Sequence, residues 1–443
     1  MKIQLSDHFT YKRLLCFVIS PILMIICSSL YSIVDGFFVS NFVGKTPFAA
    51  INLIMPVIMA ISTIGFMIGT GGSAVVSITL GEKKPELANK YFSMLVYTAI
   101  GIGLILSIIG FIFIRPISIL LGADNELLND CILYGRILFI GQTAFILQNV
   151  FQSLLITAEK PTLSLKVSVA AGVTNIVFDF LFIVVFKWGL AGAAIATIMG
   201  QFVGGFLPLI YFAKPNSSLL RLTKTAFYGK TLIQTCINGS SEMVTNLSVS
   251  IVSILFNFQL MRIAGENGVA AYGIIMYVNF IFMGVFMGYS LGSAPIISYH
   301  FGAENYGELK NLFRKSLTLM CGFGIILTVF AELLARPLVM IFASYDMELF
   351  TMTCRGFMLY ALAFLFMGIN VWGSAFFTAL NNGLISATIS FLRTLAFQII
   401  LIFVLPVLWG IDGIWLSVVF AEIFSMIITI GFFIAKRKKY KYV

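Results

Sequence analysis

Apolar runs too long for the core of a soluble domain recur along the whole chain. Each exceeds about 18 residues, enough to cross the roughly 30 Å hydrocarbon core of a bilayer. Twelve are read, near residues 14–41, 48–78, 91–114, 131–157, 163–186, 190–212, 231–258, 268–299, 315–335, 350–379, 384–407 and 412–435. Only 10% of the 443 residues are charged, against about 25% in an ordinary soluble chain. Nor is the pattern the ten-residue alternation of an outer-membrane barrel. The expectation is therefore an all-α polytopic membrane protein with twelve transmembrane helices.

The net charge of +10 is informative through its location. With the N-terminus inside, most Lys and Arg fall on the inner side, from Lys2, Lys12 and Arg13 to the terminal "KRKKYK". Lys45, Arg115, Arg136, Lys187, Arg262, Arg336 and Arg355 fall outside or near outer helix ends. That asymmetry predicts a plasma-membrane protein with both termini cytoplasmic, and it makes a nucleic-acid partner the wrong reading of the charge. Cysteines at 16, 27, 131, 236, 321 and 354 have neither zinc-site nor disulfide-framework spacing. The first apolar segment reads as helix one, since no short h-region with a small-residue cleavage site precedes it.

Sliding the chain on itself by about 221 residues exposes an internal repeat. "AAINLIM" from Ala49 meets "AAYGIIM" from Ala270, Arg115-Pro116 meets Arg336-Pro337, and "WGLAG" from Trp188 meets "WGIDG" from Trp409. Asn149, Ser153, Thr157 and Ala158 meet Asn370, Ser374, Thr378 and Ala379. Six helices per copy is an even number, so the copies run the same way, related by a pseudo-two-fold along the membrane normal. The expected organisation is a six-helix lobe over 1–213, a cytoplasmic linker over 214–230 and a second six-helix lobe over 231–443. Parallel repeats of this kind belong to alternating-access transporters.

Against this apolar background the buried charges stand out. A carboxylate at mid-membrane costs about 2.5–3.5 kcal/mol on insertion scales, so Asp35 in "SSLYSIVDGFF" is not lipid-facing filler. Counting at 1.5 Å per residue puts Asp35, Asp179 and Thr197 each about 10–12 Å below the outer helix ends. Asn175 is one turn deeper than Asp179 on the same face. Counting places their heights and leaves their lateral positions open.

The 6+6 layout, "YSIVDGFFVSNFVGKTPFAAINLIMP" and the matched loops "LGEKKPELANKYF" and "FGAENYGELKNLF" together resemble the multidrug and toxic compound extrusion (MATE) transporters over nearly the whole length. The resemblance implies two six-helix bundles around a central cleft, and export of varied, often cationic organic molecules in exchange for Na⁺ or H⁺. It also implies that Asp35, Asn175, Asp179 and Thr197 form the coupling-cation site. Two carboxylates, an amide and a hydroxyl suit a hard cation, while the same carboxyl pair can instead carry a proton. Beyond that ion, no metal or cofactor is expected. At the repeat offset these four positions become Phe256, Ala396, Ile400 and Val418, so the polar set is not a requirement of the six-helix fold. The acidic residue that a family pattern carries on helix ten is missing from "FLFMGINVWGSAFFTAL".

The second half carries Glu242, Arg393 and Glu422 near mid-membrane. Arg393 with Glu422 reads as a buried ion pair, and Glu242 as a substrate-contacting or second proton-coupling group. Gln142, Gln148 and Asn149 on helix four, with Asn370 in the second half, are cleft-lining candidates, and polar glue between helices explains the helix-four amides about as well. "FVGKT" lacks the first glycine of a P-loop, and no nucleophile–base or metal-ligand cluster suggests an enzyme. The reading is a monomeric antiporter of amphipathic or cationic small molecules. A flippase of lipid-linked saccharides is the near alternative and a channel the remoter one.

Overall fold

A computed structural model describes residues 3–343 and 346–443, with backbone alone at Ser40, Lys45, Asn125, Glu126 and 341–343. Of the cations that orient the chain, Lys2 and the Lys45 side chain lie outside the described residues. The described chain is helical, without a strand. Helices α1 to α4 are Tyr11–Phe42, Lys45–Gly81, Pro85–Leu120 and Asn125–Thr157. Pro161–Asp179 continues through a π turn, Phe180–Val185, as α5, and α6 is Gly189–Ala213. The 74-residue stretch Gly229–Gly302 would be about 110 Å long if straight. Gly265 breaks it (φ 64°, ψ −151°), giving α7 before the break and α8 after it. Next comes α9, Tyr306–Ala343. Met347–Ala361 and Phe364–Ala379, bent by 49°, together form α10. Gly383–Phe391, the π turn Leu392–Ala396 and Phe397–Trp409 form α11, and Ile411–Tyr440 is α12.

Twelve spans result, and most outrun their apolar windows; α3 covers Pro85–Leu120 rather than 91–114. Apolar composition marks only the hydrocarbon-embedded part of a helix. The ends are set by local chemistry beyond it, such as proline in the first turn of α3 and α5 and side-chain caps from Thr10, Asp346 and Asn382. The repeat reappears in the backbone. Positive φ occurs at Gly44 and Gly265, Lys83 and Glu304, and Gly189 and Gly410, each pair separated by the offset of about 221.

The two lobes meet in the half of the bundle nearer the termini. There Gly71 of α2 faces the Thr235 carbonyl of α7, and Gly239 of α7 faces the Met67 carbonyl of α2. Farther along, Gly81 and Gly302 abut Tyr299 and Ile78 in the same reciprocal way, and Gly288 of α8 lies on the backbone of α1 at Ile22. A Cβ at these points would meet backbone, so glycine alone permits this approach. The chain before α1 straps the same end. Leu5 N–H donates to Glu159 Oε1 (2.8 Å) beyond α4, and Phe9 N–H donates to Glu308 Oε1 (2.8 Å) at the start of α9. Residues after α6 lie along α3, where Arg221 N–H reaches Asn89 Oδ1 (2.8 Å) and Thr223 N–H reaches Ser93 Oγ (2.9 Å).

The cores differ between lobes. The first is split into an apolar cluster toward the termini (Ile68, Phe92, Val150, Phe151, Phe212) and another toward the far end (Ile54, Ile114, Tyr134, Leu138, Ile198). Between them runs a buried polar belt of Ser62, Thr63, Gln142, Thr143, Asn175, Asp179 and Gln201. The second lobe has one large apolar cluster extending from α7 to α12, which also takes in Leu14, Phe17, Val18 and Ile22 of α1, with a small satellite at Leu401, Leu405 and Ala421.

Candidate functional site

The polar belt of the first lobe opens into a cavity lined by Tyr31, Asp35, Gln148, Asn175, Thr197 and Gln201, with Met55, Ile58 and Phe145 among its apolar walls. The carboxyls of Asp35 and Asp179 lie within hydrogen-bonding reach of each other, and Asn175 reaches Asp35. Asp179 is wholly buried as the last residue of α5 before the π turn. Neither of its oxygens, nor Asp35 Oδ1, receives a hydrogen bond from the protein. Two ionised carboxylates have no donor to share, and a buried oxygen left unpaired is costly. A single proton or a small cation between them supplies what is missing, so the group fits either. Thr197 spends its hydroxyl proton on the Ala193 carbonyl (3.0 Å), which leaves its oxygen lone pairs available to a cation.

Tyr31 and Gln201 were not among the sequence candidates. Their signal was there, since Tyr31 precedes Asp35 by one helical turn and Gln201 follows Thr197 by one turn. Of the helix-four amides, Gln148 lines this cavity. Asn149 is buried against α2 and donates to the Ser62 carbonyl (3.3 Å), while Gln142 is buried in the belt with both amide atoms unpaired.

The offset counterpart of Asp179, Ile400, is 57% exposed, whereas Asp179 is 0% exposed. The π turn in α11 comes earlier than that in α5 and inserts a residue ahead of this position. Leu401 and Ile402 thereby take the inward face, and the equivalent region remains apolar.

A second cavity lies between the lobes. Thr70 and Ser73 of α2, Gln152 and Ser153 of α4, Glu242 of α7, Ser290 of α8 and Thr378 of α10 face it amid Phe66, Met287 and Leu291. Among the described residues, Glu242 is its one ionisable lining residue. Deeper in the second lobe, Arg393 Nη1 donates to Glu422 Oε1 (3.1 Å), Asn370 Nδ2 donates to Glu422 Oε2 (2.7 Å), and Thr429 Oγ1 donates to Asn370 Oδ1 (3.1 Å). Asn370 is thus a partner of Glu422 and is fully buried. Arg393 also lies within electrostatic range of Glu242.

A family model described as MatE matches residues 21–181 and 242–404. The chain belongs to this family of membrane multidrug efflux transporters, which are not enzymes. It is 25% identical to the multidrug export protein MepA of Staphylococcus haemolyticus, over 94% of this chain and 92% of that one. Its fold superposes on a multidrug resistance MATE family transporter solved in an outward-facing conformation, with a TM-score of 0.93, 20% identity, and coverage of 100% of this chain and 99% of that one. A MOP superfamily transporter from Pyrococcus furiosus, described as having a binding pocket of reverse polarity that suggests a different function, gives 0.90 at 19% identity with 98% of each chain covered. Both structures share the architecture.

Proposed function

We propose that the protein is a monomeric secondary antiporter that exports amphipathic or cationic organic molecules in exchange for H⁺ or Na⁺ by alternating access. The observation that carries this reading is the Asp35–Asp179 pair, in which Asp35 Oδ1 and both Asp179 oxygens receive no hydrogen bond from the protein. The coupling ion is taken up there, with Asn175 and Thr197 as further ligands when it is Na⁺. Coupling requires that the ion bind one arrangement of the lobes more tightly than the other. Substrate occupies the interlobe cavity, where Glu242 meets its positive charge and Phe66, Met287 and Leu291 its apolar body. The lobes rock as 1–213 and 231–443, joined through 214–230, with both termini in the cytoplasm. The MepA relatives, named as multidrug export proteins, support the substrate class.

The test is efflux of a fluorescent organic cation from proteoliposomes, with the pH and Na⁺ gradients imposed separately. Efflux under one gradient alone names the ion. Efflux under neither, together with movement of a lipid-linked saccharide, replaces this reading with the flippase. Downhill conductance independent of both gradients replaces it with a channel.

A further inference from the structure

On the lipid-facing wall of the second lobe, an apolar groove runs between α9 and α12. Phe313, Leu317 and Cys321 line it at four-residue spacing from α9, Ile430, Ile434 and Arg437 line it from α12, and Ile369 of α10 contributes to its floor. Ile430 and Ile434 are exposed. Only one end of the groove is charged. Arg437 lines that end, Lys438 and Lys439 follow it, and Lys310 and Arg314 stand beside Phe313 on α9. Among the described residues none of these five cations is in an ion pair.

The tail after α12 holds this charged end in place. Lys441 turns left-handed (φ 54°) and sets its ammonium 4.7 Å from the centre of the Tyr306 ring at the start of α9. Tyr442 then tucks against Phe313 (4.7 Å between ring centres) and Phe376 (5.0 Å), and its hydroxyl donates to the Phe433 carbonyl (2.8 Å). The basic end of α12 is therefore fastened beside the first turns of α9, and the cations stay at the groove's mouth.

We propose that this groove is a binding site for one anionic phospholipid, its acyl chain between the two stripes and its phosphate at Arg437 and Arg314. An apolar slot ending in cations at headgroup depth is complementary to a molecule with an apolar tail and an anionic head. Basic pockets between helices on the cytoplasmic side recognise anionic headgroups in this way, and a guanidinium matches a phosphate bidentately. A zwitterionic lipid fills the slot and leaves the cations uncompensated. Free phosphate does the reverse.

The test uses the full chain in mild detergent, titrated with phosphatidylglycerol or phosphatidylcholine and followed by native mass spectrometry. One phosphatidylglycerol is expected to be retained at least about fivefold more tightly than phosphatidylcholine, the effect of a single interfacial cation. Arg437→Gln removes about that factor. Cys321→Trp fills the slot without touching a charge and weakens both lipids. Lys90→Gln, an exposed cation on α3 far from the groove, leaves the phosphatidylglycerol preference intact. Equal retention of the two lipids overturns the proposal. So does an Arg437→Gln variant that keeps the preference, an equal loss in Lys90→Gln, or displacement of the lipid by millimolar inorganic phosphate.

Discussion

At mid-depth the first lobe brings Asp35 and Asp179 together with no cation from the described residues in an ion pair with either, while the second lobe sets Glu422 against Arg393 at 3.1 Å. Both lobes bury charge in low dielectric, where an uncompensated charge is expensive. In the second lobe the charge is balanced from within, by Arg393 and the Asn370 amide. In the first, among the described residues, it is not. The surrounding packing follows the same division, since a polar belt splits the first core and the second core is a large continuous apolar cluster. One backbone plan thus carries a carboxyl pair without an internal counter-charge in the first lobe and an internally balanced strut in the second.

The strongest way to break this comparison is to neutralise the pairs. Asp35→Asn and Asp179→Asn should each abolish gradient-driven efflux in proteoliposomes. Loss of a coupling free energy of about 1–3 kcal/mol corresponds to about 5–150-fold in apparent ion affinity. Neither change should lower thermal stability, because each relieves a like-charge contact. If both variants kept full gradient-driven efflux, the first-lobe pair would be structural and the contrast between the lobes would fall.

In the second lobe the same operation should act on stability. Glu422→Gln strands the Arg393 guanidinium and should destabilise the protein by about 3–5 kcal/mol, the usual result of breaking a buried pair from one side. Replacing both partners, Arg393→Met with Glu422→Leu, should recover most of that. Melting in detergent reads both. A double variant that melts normally and yet fails to transport would show that the second-lobe charges take part in the cycle.

Glu242 sharpens the comparison from between the lobes. Glu242→Gln should weaken binding of a monovalent organic cation about tenfold, a change of about 1.4 kcal/mol, and leave a neutral amphipath of similar size unaffected. Fluorescence titration of the purified protein separates the two. Equal loss for both ligands would mean that the residue shapes the cavity and does not recognise charge.

Much of this was legible in the residues. Long apolar runs set the span count, and the shared offset of Gly189 with Gly410 appears both in the alignment of the halves and in their backbone angles. The heights of Asp35, Asp179 and Thr197 follow from helical rise. Lateral convergence does not, because it depends on how α1, α5 and α6 pack, which no count along a single helix contains. The π turns in α5 and α11 were likewise invisible, since they arise within uniformly apolar sequence and still shift which residues face inward. Asn149 and Asn370 show the limit of reading polarity alone. Both match in the repeat and both are amides, and both bond inside their lobes to helix partners, at the Ser62 carbonyl and at Glu422.

The smallest expected effect lies at the strap before α1, where the two lobes are joined by hydrogen bonds as well as packing. Glu308 accepts from Phe9 N–H at 2.8 Å, and its other oxygen bonds His8 Nδ1 at 2.6 Å. Asn311 Nδ2 and Lys315 Nζ donate to the Phe9 carbonyl (3.0 and 2.6 Å). Leu5 joins the same strap to Glu159 in the other lobe. Separating the lobes at this end must break one set, so these bonds favour the arrangement closed toward the termini. Glu308→Gln keeps an acceptor for Phe9 N–H and loses the charge, leaving the Leu5 end intact. Its expected cost is about 1 kcal/mol, the usual net worth of one hydrogen bond, which enriches the oppositely open arrangement about fivefold. Distance distributions between spin labels on the two lobes, taken near the ends of α2 and α8 on the side of the termini, measure that population directly. An unchanged distribution in Glu308→Gln, with the Gly71–Gly239 contact intact, would assign closure to the glycine crossings and reduce the strap to a surface feature.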